Sequence, residues 1–227
     1  MKFALKFVMA LIVTTLLMLA FRALVFTVYT VRGTALEPCL VDGDRVLVNR
    51  WSYGLRAGGY GPFGYARWIG SQVERGDLVV FNNPADTARH IPRRKTMAYY
   101  CTAVPGDTVR AGGALLTVPG KGSPCRVNKG NIRLLRTLYN RFEGKKAEII
   151  GGKLIVNGKE TSCAVFNNDY YWVSASRRGD TSDSRFFGFV PETHVIGKVK
   201  MLIFSADPGR PIGHNLRQNR WLLPIGK

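Results

Sequence analysis

The sequence predicts a mainly β protein: an antiparallel β-body with an apolar N-terminal helix and one small inserted helix. Three observations carry this. An uncharged apolar run, Phe7 to Phe21, opens the chain. Beyond residue 22 the pattern is one of short runs rich in β-branched and aromatic residues, each closed by Gly, Asn, Asp or Pro. A single stretch, 129 to 143, repeats its apolar residues at helical spacing instead.

The apolar run is preceded by Lys2 and Lys6 and followed by Arg22. A spanning helix needs about 17 to 25 apolar residues, and Ala4 and Leu5 bring the run near that minimum, with Lys6 reaching back to the interface. Residues 1–6 then form a cytoplasmic tip, 7–22 a transmembrane anchor and 23–227 an extracytoplasmic body, since positive charge ahead of the helix favours a cytoplasmic N-terminus. The competing reading is a cleaved secretory signal with Lys2 and Lys6 as its basic end. Against it, Met18-Leu19-Ala20 offers a large residue where a cleavage site needs a small one. Both readings place the remainder outside the cytoplasm.

In the body, Val25–Val31, Arg45–Asn49 and Leu78–Phe81 read as strands, the last bounded by Gly76-Asp77 and Asn82-Asn83-Pro84. Lys153–Val156 followed by Asn157-Gly158 reads as a strand entering a tight hairpin turn. Tyr170–Val173 and Val199–Ser205 complete the set. Ile132, Leu135, Leu138, Tyr139 and Phe142 mark one face of an amphipathic helix that Gly144 ends, inside an insertion at about 110–152. Its other face carries Arg133, Arg136 and Arg141. That face either rests on a membrane surface or is solvated while the apolar stripe packs on the body, and the ordinary width of the stripe favours packing. Tyr53–Gly70, rich in Gly and aromatics, is expected to be a loop, its rings either meeting lipid or covering an edge of the body.

Composition bounds the partners. Thirty-three basic and 15 acidic residues give a formal charge of +18 over 227 residues. The charge is spread along the chain and no nucleic-acid-binding pattern accompanies it, so a lipid bilayer with an anionic surface is the expected polyanion and nucleic acid is not. Cys39, Cys101, Cys125 and Cys163 lack C-x-x-C spacing, which argues against zinc, and no other metal or cofactor is expected. Four cysteines permit three full pairings, and none is selected by the sequence.

Several blocks, in order, carry a resemblance. Ala35-Leu36-Glu37-Pro38-Cys39-Leu40 precedes Gly43-Asp44-Arg45-Val46-Leu47-Val48-Asn49. Pro105-Gly106-Asp107 follows, and then Thr181-Ser182-Asp183-Ser184-Arg185-Phe186-Phe187-Gly188-Phe189-Val190-Pro191. Together they resemble type I signal peptidases, membrane-anchored serine endopeptidases that remove signal peptides from preproteins at the outer face of the cell (inner) membrane. The resemblance implies that family's β-fold, its single-pass anchor with a cytoplasmic N-terminus, and an extended preprotein segment as substrate. The family's nucleophile motif is Ser-Met-x-Pro-Thr-Leu, which puts Ala35 at the serine position. Its general-base lysine lies six residues before Pro-Gly-Asp, which puts Tyr99 at the lysine position and Tyr100 at the adjoining arginine. The resemblance casts Pro38, Cys39, Asp107, Thr181, Asp183, Ser184 and Arg185 as residues supporting the site. Thr181 keeps a hydroxyl where the family serine orients the lysine, and Asp183 with Arg185 could form a structural ion pair.

A methyl group cannot attack a carbonyl, and a phenol of ordinary pKa about 10 is a poor base at pH 7. Two readings therefore stand. One is a family member without the dyad that binds signal peptides or a catalytically complete paralogue. The other is a working peptidase with a rearranged nucleophile and base. For the second, Thr34 should point away from the site if this segment is a strand, whereas Cys39 is a thiol four residues beyond Ala35. His90, His194 and His214 match no catalytic position. Cys39 and Cys101 either pair across the lost dyad or remain buried thiols, and the second is favoured.

Overall fold

The computed structural model describes residues 2–57, 66–68, 71–176, 183–211 and 214–225. They form two compact units. The first holds residues 1–32, 40–72 and 197–227, and the second 33–39 and 73–196.

The first unit opens with helix α1, Lys2–Val25, 24 residues that lead directly into the strand Phe26–Thr30. Large apolar side chains from Phe7 to Leu19 stand exposed around it, so it is not an amphipathic core helix. Among the described residues no helix is long and apolar enough to cross a membrane, the side chains described along α1 being those of Lys6 to Leu19.

Phe26–Thr30 pairs antiparallel with Asp44–Asn49, which pairs on its other side with Val195–Ser205, and that strand in turn with Leu223–Pro224. Val46 and Val48 are fully buried from one strand face, as their period-2 spacing requires. The turn before them needs glycine: Gly43 has φ +88°, and a Cβ there would lie 1.9 Å from the Ala206 carbonyl oxygen. Asp44 is also fully buried. It accepts from the Val41 amide and from the Arg220 guanidinium, which ties the C-terminal segment to this strand. Where a loop was expected between Tyr53 and Gly70, two short strands, Leu55–Ala57 and Ala66–Trp68, pair antiparallel; residues 58–65 and 69–70, with Tyr60, Phe63 and Tyr65, lie outside the described residues.

The second unit is built on Leu78–Asn82, Thr96–Ala103 and Tyr170–Ser174, hydrogen-bonded in that order and all antiparallel, with Val190–Pro191 on the far side of Tyr170–Ser174. A satellite of small sheets follows: the hairpin Thr108–Ala111/Ala114–Thr117, the pair Cys125–Arg126/Cys163–Ala164, and the meander Ala147–Ile150, Lys153–Val156, Lys159–Thr161. The expected hairpin turn is present, with Asn157 and Gly158 both at positive φ.

Helix α2, Ile132–Phe142, is three residues shorter at its start than the periodicity suggested. The cause is local: Asn131 accepts from the Asn128 amide and donates to the Arg126 carbonyl, holding the preceding residues in a turn. Its apolar stripe packs as expected. Ile132, Leu135, Leu138 and Tyr139 join Phe166, Tyr170 and Phe189 in one core, and the Tyr139 hydroxyl bridges the Val165 carbonyl and amide. Glu143 at its C-terminus accepts from Tyr170 Oη, the Asn167 amide and Asn168 Nδ2, which binds the satellite to the central strands.

Candidate active site

The segment that carries Ala35 is not a strand. Thr34 lies in a bend and residues 35–39 form consecutive turns, with the Glu37 amide donating to Thr34 O at 3.2 Å, so strand alternation does not turn Thr34 away. Ser176, just past the strand Tyr170–Ser174, donates its amide to Ala35 O at 2.9 Å. Ala35 and Leu36 are buried, while Thr34, Pro38 and Cys39 are exposed. A backbone bond thus seats the turn against the residues after Ser174, and the only side-chain atom Ala35 brings is a methyl carbon.

The strand Thr96–Ala103 sorts its residues onto two faces. Met97, Tyr99, Cys101 and Ala103 share one, and Ala98, Tyr100 and Thr102 the other. Tyr99 is almost fully buried, its ring 6.0 Å from that of Phe81, which lies 6.1 Å from Phe187. An aromatic cluster therefore occupies the position where the resemblance puts a lysine. Tyr100, on the opposite face, interacts with Cys39 of the turn. Burial first, and then a hydrogen bond and charge interaction with Cys39, hold its phenol well above the ordinary value. A phenol so held stays protonated at neutral pH and cannot serve as a base. Counting back from Pro105-Gly106-Asp107 selected Tyr99; strand alternation applied to the same pair would have separated it from Tyr100.

Cys39 and Cys101 are not paired. All four cysteines are free, and Cys101 faces away from Tyr100. Its Sγ is fully buried against the Ala103 carbonyl, and burial, reinforced by Asp77, pushes the thiol up to about 12. Cys101 is an inert packed thiol.

Asp183, Ser184 and Arg185 are a scaffold. Asp183 caps the short helix α3, Ser184–Phe187, by accepting from the Arg185 amide. It is fully buried and also accepts from the Ala175 amide and from Arg185 Nε and Nη2. Burial alone would raise its pKa, but the Arg185 bond and the two amides outweigh burial and hold it below the usual carboxylate range. Ser184 Oγ accepts from the Val173 amide at 2.9 Å. These bonds fix the residues on either side of 177–182 to the strand Tyr170–Ser174; Thr181 itself lies outside the described residues.

Asp107 performs a similar task at its turn. It accepts from the Val104 amide and forms an ion pair with Arg75, whose hydrogen bond is the main cause of its lowered pKa. His194, by contrast, is buried in the second unit, its Nε2 2.8 Å from Arg94 Nη1 and its Nδ1 3.1 Å from Thr193 Oγ1.

The order and placement of these blocks agree with a family match over nearly the whole chain: the description "Signal peptidase, peptidase S26" fits residues 4–204. The chain belongs to this signal peptidase family. Signal peptidase IB of Staphylococcus aureus (strain Mu50 / ATCC 700699) is 27% identical to it over 214 residues, 93% of each chain. Signal peptidase I of Bacillus licheniformis is 25% identical over 199 residues, 88% of each. Signal peptidase I of Bacillus amyloliquefaciens is 25% identical over 217 residues, 93% of this chain and 87% of the relative. Within this signal peptidase homologue the scaffold bonds of Asp107, Asp183, Ser184 and Arg185 are formed, while the serine and lysine positions read Ala35 and Tyr99.

Proposed function

We propose that this signal peptidase homologue works at the cell (inner) membrane as a dyad-less member of its family, engaging the signal peptides of exported preproteins, or a catalytically complete paralogue, without cutting. The observation that carries the reading is the exchange at both dyad positions: a buried methyl at Ala35 and a ring packed on Phe81 at Tyr99. Acyl transfer needs a nucleophile and a base within hydrogen-bond reach of it, and neither side chain supplies one. The intact scaffold around them supports a retained cleft.

In the same reading α1 is a single-pass anchor, residues 1–6 are cytoplasmic, and the lipid bilayer is the protein's permanent partner. At about 1.5 Å per residue its 24-residue backbone extends about 36 Å, against a hydrocarbon core of about 30 Å.

The deciding experiment is preprotein cleavage by the purified full-length chain, beside the double variant Ala35→Ser/Tyr99→Lys. No product from the unaltered chain and product from the variant would support the reading. Product from the unaltered chain would overturn it.

One contact favours a second reading, an active enzyme with a new nucleophile. Cys39 is exposed on the Ala35 turn and hydrogen-bonded to Tyr100. If Cys39 attacks, cleavage by the unaltered chain must vanish in Cys39→Ala. The raised phenol speaks against Tyr100 as its base.

A further inference from the structure

A cleft of about 710 Å³ opens in the second unit beside α3, away from the Ala35 turn. Met97 lines it, and Met97 shares the strand face of Tyr99, opposite Tyr100 and Cys39. Leu116, Leu134, Trp172 and Phe187 provide further apolar walls, and Arg141 and Arg185 stand among the lining residues. The volume lies within the range of small-molecule sites, about 300 to 1,000 Å³.

The charge of the lining is one-sided. It includes two guanidinium groups and no carboxylate. Arg185 is committed to Asp183, but Arg141 has no carboxylate partner among the described residues. Glu143, two residues on, is held by Tyr170 and the Asn167 and Asn168 groups. Arg141 instead feels a second cation, Arg94, whose pKa is lowered first by burial, with Arg141 adding to the effect against the pull of Asp86. An unmatched guanidinium beside an apolar cleft fits a ligand with a carboxylate at one end, which it can grip with two parallel hydrogen bonds. A signal peptide fits poorly, because its end flanking the apolar stretch is basic.

We infer that this cleft is a binding site for a single-chain fatty-acyl carboxylate, its chain against Trp172, Leu134 and Phe187 and its head on Arg141. Neither Ala35 nor Tyr99 lines the cleft, so the inference stands or falls separately from the proposed function.

Trp172 reports on occupancy. The full chain is placed in nanodiscs of zwitterionic lipid and titrated with 11-bromoundecanoate, whose bromine quenches tryptophan at contact. The same titration uses bromoundecyl phosphate and bromoundecyl trimethylammonium, and every titration is repeated on Trp172→Phe, so that quenching of other tryptophans by chains dissolved in lipid is subtracted. The inference expects saturable Trp172 quenching by the carboxylate, reversed by unbrominated laurate, and at least about tenfold weaker in Arg141→Glu, the scale of losing a charge-assisted bond. Thr137→Trp, which fills the cleft from a half-buried position on α2, should abolish it while circular dichroism stays unchanged. Equal quenching by the trimethylammonium chain, binding of the phosphate chain alone, unaltered affinity in Arg141→Glu, or no Trp172 quenching in the folded protein would each overturn it.

Discussion

Asp183 shows how a single side chain can be retained while the chemistry beside it is lost. It serves α3, the amide of Ala175 just past the strand Tyr170–Ser174 and the guanidinium of Arg185, and none of these bonds needs a catalytic partner. Asp183→Asn keeps the shape and removes the charge, and should cost about 1.5 to 3 kcal/mol, the range for a charge-assisted hydrogen bond. The sign with pH follows from its lowered pKa. In the unfolded chain Asp titrates near about 3.9, so the contribution is fully present above that pH and is lost as pH falls through the lower folded value. Chemical denaturation from pH 7 down to pH 2 should therefore show the Asp183→Asn deficit shrinking below about pH 4. A deficit that stays constant with pH would mean that the charge contributes nothing. Gly43 makes a second residue-scale case. Its positive φ and the 1.9 Å approach to Ala206 O leave no room for a methyl, so Gly43→Ala should lose about 2 to 4 kcal/mol in urea unfolding. The Gly-Asp pair was legible as a sequence block, but the opposing carbonyl was not: it comes from a residue more than 160 positions later, and no local pattern records it.

At the scale of elements, legibility followed period and length. Leu78–Asn82 and the Asn157-Gly158 hairpin were readable because a run and its turn signals lie together in the chain. Helix α2 was readable from its stripe, but its first turn was not, because Asn131 spends its side chain on the backbone of Arg126 and Asn128 rather than on a helix start. The turn at Ala35 was not readable for a related reason: its hydrogen bonds run to Thr34 and Ser176, contacts no periodicity can display. Spacing put Tyr99 at the lysine position and Tyr100 beside it, but it counts residues and does not say which face of the strand each one takes. α2 offers a clean energetic test. Leu138 is buried in the satellite core, so Leu138→Ala should cost about 2 to 5 kcal/mol, whereas Arg133→Ala on the solvated face should change stability by less than about 0.5 kcal/mol. Comparable losses in both variants, measured by thermal unfolding followed by near-ultraviolet circular dichroism, would show that the basic face is engaged by something other than water.

For the whole molecule, the proposed anchor predicts which side of the membrane the body occupies. The charges flanking α1 are nearly balanced. Lys2 and Lys6 precede its apolar run, and Arg22 and Arg32 are the nearest basic residues after it. The +18 of the full chain does not decide orientation, because the positive-inside rule counts residues near the helix ends and long domains cross largely regardless of charge. The proposed export of the body rests on the signal peptidase family to which the chain belongs. Cys163 is exposed, while Cys101 and Cys125 are buried, so an impermeant maleimide has a defined target in Cys39→Ser protein. In intact spheroplasts expressing that variant, labelling should reach completion without lysis and should vanish in Cys39→Ser/Cys163→Ser. Labelling that appears only after permeabilisation would place the body in the cytoplasm, away from exported preproteins, and would remove the basis for a role in their processing.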